Sequence, residues 1–175
     1  MKIFVWNDRG LGSTRAFNVL HFHMQETKPE VMFLIETRCD HVKLENWRIK
    51  LGFACKLVVD SVGKSGGLCL FWSSDLHVEL LTYSQAHMDV RIWHNKNHSW
   101  RFTGFYGHPD RSLRAQSWIL LRQLAGMYNL PWVCMGNFNE IQCDSEKIGG
   151  AKNLGMRYQN FGKLWRSRAS MIWGS

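Results

Sequence analysis

The chain has 175 residues, of which 45% are hydrophobic and 13% aromatic, a length typical of one domain and an apolar content that excludes a disordered chain. The 22 lysines and arginines outnumber the 14 acidic residues and give a net charge of +8. This excess favours polyanionic partners such as nucleic acid, and it is equally typical of a solvated cationic surface.

The chain opens with a predicted strand and a predicted helix. Ile3 to Trp6 is a short apolar run, closed by a polar segment whose glycines permit a tight turn. Ser13 or Thr14 can then cap a helix that extends to about Glu26, because apolar residues recur at helical spacing within it. The sequence therefore predicts a strand, a loop and an amphipathic helix.

The middle of the chain is predicted to be rich in strands. Val31 to Ile35 is apolar at every position, which predicts a strand buried on both faces with the polar Glu36 at its exit. Trp47 to Leu51 is expected to belong to a second, shorter helix. Five further stretches at close spacing favour a meander of antiparallel strands: Cys55 to Val59, Leu68 to Trp72, Val78 to Tyr83, Met88 to His94 and Trp100 to Tyr106.

The last part of the chain predicts two helices and one strand. Leu113 to Tyr128 carries apolar residues at helical spacing and contains no proline. Trp132 to Met135 is a short buried strand, and Met156 to Arg166 is a further helix. The order of these elements indicates a sheet-rich α/β layered structure, with residues 1–175 forming a single domain.

The cysteines and the apolar segments indicate where in the cell the protein is expected. The five cysteines are odd in number and form no C-x-x-C pair, which disfavours a disulfide framework and a zinc site. The first apolar run is too short for a signal peptide, and no segment approaches the roughly 18 apolar residues of a membrane span. We expect an intracellular protein of the nucleus or cytoplasm, not secreted and without a membrane or obligate protein partner.

Three of the predicted strands each end in a small polar cluster. Asn7 follows the first, Glu36 follows the second, and Asn137 and Asn139 follow the last. Strand ends commonly build sites in α/β proteins, because the sheet fixes their positions and the loops supply access. Taken singly, Glu36 also fits a solvated residue, and Asn7 and Asn139 fit ordinary turn residues. Tyr106, taken alone, also fits a core aromatic.

Five short motifs occur in order along the chain: WNDRGLG at 6–12, LIET at 34–37, TGFYGHP at 103–109, GNFNE at 136–140 and SEKIGG at 145–150. They resemble motifs of the endonuclease/exonuclease/phosphatase family, in particular the nuclease domain of plant LINE-type (non-LTR) retrotransposon polyproteins. The resemblance implies a four-layer α/β sandwich of the DNase-I-like type. It also implies a hydrolase that cleaves phosphodiester bonds with magnesium, and DNA as the expected partner.

The resemblance assigns a role to each motif residue. Glu36 would hold Mg²⁺ with Asn7 close beside it, while Tyr106 and Asn139 would contact or orient the scissile phosphate. The chemistry agrees in part, since Mg²⁺ prefers oxygen ligands and commonly takes one or two carboxylates. Three basic residues near the expected site would contact phosphates or simply be solvated: Arg9, Arg111 and Arg114.

Two departures from the family pattern predict weak or absent catalysis. Asn137 stands where the family has the aspartate of G-D-F-N, and an amide cannot take a proton from attacking water; losing such a general base costs about 100- to 10,000-fold in rate. The family's closing S-D-H motif has no counterpart after His108, which predicts a fold incomplete at its C-terminus. Three hypotheses follow: a weakened DNA-nicking enzyme, a nucleic-acid-binding domain without catalysis, or a retroelement relic without a selected function.

Overall fold

The computed structural model describes residues 1–7, 13–63, 65–95 and 98–139. Three predictions lie outside these residues: the role of Arg9, the motif at 145–150 and the helix at 156–166. Within the described residues each predicted strand and helix is present.

The described residues form eight strands, three α-helices and one short 3₁₀ helix. The strands are β1 (Ile3–Asn7), β2 (Val31–Ile35), β3 (Cys55–Val62), β4 (Ser65–Trp72), β5 (His77–Ser84), β6 (His87–Asn95), β7 (His98–Tyr106) and β8 (Trp132–Asn137). The helices are α1 (Thr14–Thr27), α2 (His41–Lys50) and α3 (Arg114–Met127), and the 3₁₀ helix is Arg111–Leu113. None of the helices in this part of the chain is long and apolar enough to cross a membrane.

Side-chain caps set the starts of the first two helices. Ser13 precedes α1, and its hydroxyl accepts a hydrogen bond from the Ala16 N–H at 3.1 Å. Asp40 does the same for α2, where its carboxylate accepts from the Lys43 N–H at 2.7 Å. The second helix therefore contains most of the segment predicted to belong to a helix, and the cap at Asp40 sets its start because it satisfies backbone donors that an apolar pattern does not reveal.

The strands form two four-stranded sheets, ordered β1-β2-β4-β3 and β5-β6-β7-β8. The pairs β1–β2 and β7–β8 are parallel, and the other neighbours are antiparallel. The predicted single meander is therefore wrong in one respect: β3 and β4 are a hairpin of the first sheet, whereas β5 to β7 form the meander of the second. Alternating apolar residues look the same in a strand of either sheet. The sequence pattern therefore could not show that the chain passes from the first sheet to the second between β4 and β5.

The core is divided into three apolar layers. The two sheets pack face to face, and the rings of Phe33 and Phe102 meet edge-on across the interface with centroids 5.9 Å apart. Leu20 of α1 and Trp47 of α2 pack on the outer face of the first sheet. Trp118 of α3 packs on the outer face of the second sheet. The result is the expected four-layer α/β sandwich of the DNase-I-like type.

A buried ionic network fixes α3 against the second sheet. Arg101 and Asp89 are 1% and 0% exposed, and the arginine Nε donates to both carboxylate oxygens at 2.9 Å. Arg101 Nη1 also donates to the carbonyl of Leu124 in α3 at 2.6 Å. Thr103 donates to Asp89 at 2.6 Å and accepts from the Trp132 indole at 2.8 Å. These bonds connect β6, β7, β8 and α3, so they hold the strand that ends at the predicted catalytic tyrosine.

Candidate functional site

Four of the predicted site residues lie at one end of the two sheets. In the parallel pair β1–β2, Asn7 is opposite Ile35. Glu36 comes directly after Ile35, so Asn7 and Glu36 lie at the same ends of two neighbouring strands. In the parallel pair β7–β8, Tyr106 is opposite Asn137. The hydroxyl of Tyr106 donates to Oε1 of Glu36 at 2.9 Å, which joins the second sheet to the first at this end.

Glu36 is a buried carboxylate rather than a solvated one. It is 6% exposed, which excludes the alternative of an ordinary surface glutamate. Oε1 accepts from Tyr106, and Oε2 accepts from Nη2 of Arg38 at 3.2 Å. Both oxygens are thus paired, as burial of a charged group requires. The backbone of Glu36 is left-handed, with φ of 57°, a conformation that costs about 1–3 kcal/mol for a residue other than glycine and that occurs often at functional sites.

Tyr106 is held as a neutral hydrogen-bond donor. Burial raises the pKa of its phenol to about 12, and the hydrogen bond and negative charge of Glu36 act in the same direction. A hydrogen bond from Asn139 and the charge of Arg38 oppose this rise. Because the folded pKa is far above neutrality, Tyr106 can donate a proton in a hydrogen bond to an anion but does not act as a phenolate near pH 7.

The turn after β8 is locked to the end of β7. The Asn139 N–H donates to Oδ1 of Asn137 at 2.8 Å, which forms a side-chain-capped turn, and Asn139 has a left-handed φ of 49°. Nδ2 of Asn139 donates to the Gly107 carbonyl at 2.6 Å, and the Gly107 N–H donates to the Asn137 carbonyl at 2.7 Å. A Cβ at Gly107 would lie 2.1 Å from the Phe138 carbonyl oxygen, so this approach requires glycine.

The three predicted phosphate-contacting arginines are placed differently. Arg9 lies outside the described residues. Arg111 is exposed in the 3₁₀ helix, and Arg114 is half-buried at the start of α3, where Nη2 donates to the Pro109 carbonyl at 3.3 Å. Both arginines lie in the connection from β7 to β8, which begins after Tyr106.

Arg38 belongs to the site but was not among the predicted residues. Gly67 of β4 lies so close to this segment that an added Cβ would be 2.6 Å from the Thr37 hydroxyl and 3.2 Å from the Arg38 backbone nitrogen. The Thr37 N–H donates to the Gly67 carbonyl at 3.2 Å. The one signal in the sequence is the position of Arg38 two residues after the motif glutamate.

A mostly apolar cavity of about 500 Å³ lies beside Tyr106. Gln85 and Ala86, at the β5–β6 turn, line one side, and Gln116 and Leu120 of α3 line another. Tyr106 therefore contributes its hydroxyl to Glu36 and also forms part of the cavity wall.

His87 supports the hairpin that positions Tyr106. The Tyr106 N–H donates to the Ala86 carbonyl at 2.8 Å. Next in the chain, the His87 imidazole is 5% exposed, with Nδ1 2.8 Å from the Ser84 hydroxyl and Nε2 3.0 Å from the Thr82 hydroxyl. Burial lowers the pKa of His87; nearby Asp89 opposes this and Arg101 adds to it. The folded protein therefore favours the neutral imidazole.

We expect the free energy of unfolding to fall as the pH drops below about 6.5, in part because of His87. The unfolded chain binds the proton at that pH, whereas the folded state, with its lowered pKa, binds it only at lower pH. Urea unfolding between pH 5 and 7.5 should show a shallower decline for His87→Gln than for the unsubstituted chain. His77→Gln, at an exposed position, is the control; equal slopes for all three proteins would contradict the prediction.

The residues at the site can accept a divalent cation, although the donor set is small. The described residues contain no group of three or more His, Cys, Asp or Glu side chains suited to a metal. Glu36 offers two oxygens that each have one hydrogen-bond partner among the described residues, and a carboxylate oxygen can accept more than one hydrogen bond. Mg²⁺ commonly binds through one or two carboxylates and keeps several waters, so Glu36 assisted by the amide of Asn7 fits that ion.

Comparison with known proteins identifies a family. A family model described as the endonuclease/exonuclease/phosphatase family matches residues 15–175. No curated protein sequence matches the chain.

Solved structures share the fold at low sequence identity. The 3′ phosphatase NExo from Neisseria, bound to a product DNA hairpin, is 16% identical with a TM-score of 0.65, over 95% of this chain and 70% of that protein. The AP endonuclease LMAP from Leishmania major is 14% identical with a TM-score of 0.66, over 94% and 65%. The endonuclease domain of TRAS1, a telomere-specific non-LTR retrotransposon, is 15% identical with a TM-score of 0.60, over 93% and 71%. The chain thus spans about two thirds of the length of these proteins.

Proposed function

The chain belongs to the endonuclease/exonuclease/phosphatase family, and from this premise we propose that it is a Mg²⁺-dependent DNA-nicking hydrolase weakened by Asn137. The observation that carries the proposal is the hydrogen bond from Tyr106 to Glu36. This bond unites the ends of two sheets into one polar site, beside which lies the turn of Asn137 and Asn139.

Each residue has a chemical role in this proposal. Glu36, assisted by Asn7, would hold Mg²⁺, which when bound offsets negative charge on phosphate oxygens. The single hydroxyl hydrogen of Tyr106 goes to Glu36 in this structure, so Tyr106 would contact a phosphate oxygen by exchanging that acceptor for the phosphate. The amide of Asn139 is a second neutral donor of the kind that suits a phosphate oxygen. Asn137 occupies the position of a general base but cannot take a proton, which is the reason for the proposed weakness.

DNA is the proposed substrate. The net charge of +8 favours a polyanion, and the NExo structure contains a product DNA hairpin. The motifs of this sequence and the fold shared with the TRAS1 endonuclease domain support an origin in a LINE-type retrotransposon. Arg111 and Arg114 then supply phosphate contacts beyond the cleavage site.

The proposal is tested by nicking of supercoiled plasmid with and without Mg²⁺. The unsubstituted chain is expected to nick slowly, and only with Mg²⁺, whereas Glu36→Ala should be inactive because the metal-binding carboxylate is gone. Glu26→Ala, which removes an exposed carboxylate of α1, is the matched control and should retain the activity. Nicking that persists in Glu36→Ala, or that needs no divalent cation, would refute the assignment.

A second candidate function is nucleic-acid binding without cleavage. It is favoured by one contact: Oδ1 of Asn137 accepts from the Asn139 backbone, so the residue serves the turn and has no basic group to offer. DNA binding that weakens steeply with salt, together with no detectable product, would favour this function, since phosphate contacts release counterions.

A further inference from the structure

Glu36 and Arg38 form an ion pair with unequal surroundings. The side chain of Glu36 is 8% exposed, whereas that of Arg38 is 41% exposed. Their contact is a single hydrogen bond, from Nη2 to Oε2 at 3.2 Å, and it is longer than the 2.7–2.9 Å typical of a strong charge-assisted bond. The carboxylate is thus buried inside the protein, while the side chain of Arg38 is partly open to solvent.

The segment that carries the two charges has an unusual backbone conformation. Glu36 and Arg38 both have left-handed conformations, with φ of 57° and 44°. Thr37 between them is 1% exposed and is held by the close approach of Gly67. Because this segment is anchored at its centre, Arg38 can change its side-chain direction without any change in the position of Glu36.

Glu36 has a neutral partner on one oxygen and a cationic partner on the other. Tyr106 donates to Oε1 and carries no charge, so it is compatible with a cation on the same carboxylate. Arg38 on Oε2 is positive and would lie within a few ångströms of a second cation, where like charges repel strongly in a partly buried site. A divalent cation and Arg38 therefore compete for one group.

We propose that Arg38 is an internal counter-ion of Glu36, which leaves when a divalent cation binds there and then pairs with a substrate phosphate. This inference rests on the proposed function, because it concerns the same carboxylate. Without the cation, Arg38 neutralises the buried charge. With the cation, the guanidinium is released at the mouth of the site, where its planar donors suit a phosphate.

The first test is the affinity for Mn²⁺, an ion that prefers oxygen ligands as Mg²⁺ does, measured from the electron paramagnetic resonance signal of the free ion. Arg38→Met keeps the aliphatic stem and removes the competing charge, so it is expected to bind Mn²⁺ about tenfold more tightly than the unsubstituted chain. Glu36→Gln should lose this binding. Arg122→Met removes an exposed charge from α3 and should leave the affinity unchanged.

The outcomes separate this inference from the function on which it rests. Equal Mn²⁺ affinity in Arg38→Met and the unsubstituted chain, with binding lost in Glu36→Gln, would overturn the counter-ion role and leave the metal-dependent function standing. Absence of Mn²⁺ binding in all of these folded proteins would overturn both. If Arg122→Met also bound Mn²⁺ more tightly, the gain in affinity would be due to the lower net charge of the protein. That result would also overturn the specific role of Arg38.

The second test is the salt dependence of DNA binding. With Ca²⁺ present, Arg38→Met is expected to reduce the slope of log Kd against log salt by about one, the effect of one lost phosphate contact. Without a divalent cation the slopes should be equal, because Arg38 is then paired with Glu36. Equal slopes under both conditions would show that the released side chain does not reach a phosphate.

Discussion

Replacing Asn137 by aspartate is expected to raise the rate of Mg²⁺-dependent plasmid nicking by about 100- to 10,000-fold, the usual contribution of a general base. Aspartate has the same shape as asparagine, so one carboxylate oxygen can still accept from the Asn139 N–H, a bond now 2.8 Å long. The second oxygen replaces the amide nitrogen and supplies a proton acceptor beside Tyr106, its parallel-strand partner. The measurement is the initial rate of nicked-circle formation.

A matched control separates chemistry from charge. Asn129→Asp makes the same change at an exposed position after α3, and it should leave the rate unaltered. The double variant of Asn137→Asp with Glu36→Ala should be inactive, since a base alone does not replace the carboxylate that we propose binds the metal. An unchanged rate in a folded Asn137→Asp protein would mean that general-base loss does not limit this site, and would favour the binding function.

Asp89→Ala is expected to lower the free energy of unfolding by about 3–5 kcal/mol, because it leaves the buried Arg101 without its counter-charge. The same change removes the acceptor of the Thr103 hydroxyl bond. A domain is typically stable by only about 5–15 kcal/mol, so this loss is a large part of the total. Urea denaturation followed by tryptophan fluorescence measures the difference.

The size of the effect should depend on burial of the charge and not on loss of an acidic residue as such. Asp75→Ala, at an exposed position, is expected to change stability by less than about 0.5 kcal/mol. Combining Asp89→Val with Arg101→Met removes both charges and should recover much of the loss, since an apolar pair can replace a buried ion pair. A stability of Asp89→Ala close to that of Asp75→Ala would contradict the importance of the network.

The elements of the fold could be predicted from sequence because each depends on local pattern. The continuous apolar run of Val31–Ile35 predicted a buried strand, and all five of its residues are 0% exposed. The helical spacing between Leu113 and Tyr128 predicted α3 within a residue of its ends. The four-layer sandwich was predicted from the order of the motifs along the chain. The pattern located only the second half of α2, because the helix is weakly amphipathic and its start depends on the cap at Asp40.

The candidate site was predicted only in part. Glu36, Tyr106, Asn137 and Asn139 were named from strand-end motifs, and the described structure brings these four into one hydrogen-bonded arrangement. Arg38 was missed because an arginine in a sequence carries no sign of which carboxylate it faces. The Asp89–Arg101 pair was missed for the same reason: burial of a charge depends on what packs over it.

The sequence by itself determined the types of the elements, the residues placed at strand ends and the absence of a carboxylate at Asn137. These features follow from composition and from the spacing of residues along the chain, because secondary structure depends largely on local periodicity. The tertiary structure alone decided which strands share a sheet and how Arg38 pairs with Glu36. It also decided that Tyr106 meets Glu36 across 70 positions of sequence. Such contacts depend on the packing of one sheet on another, which no local pattern encodes.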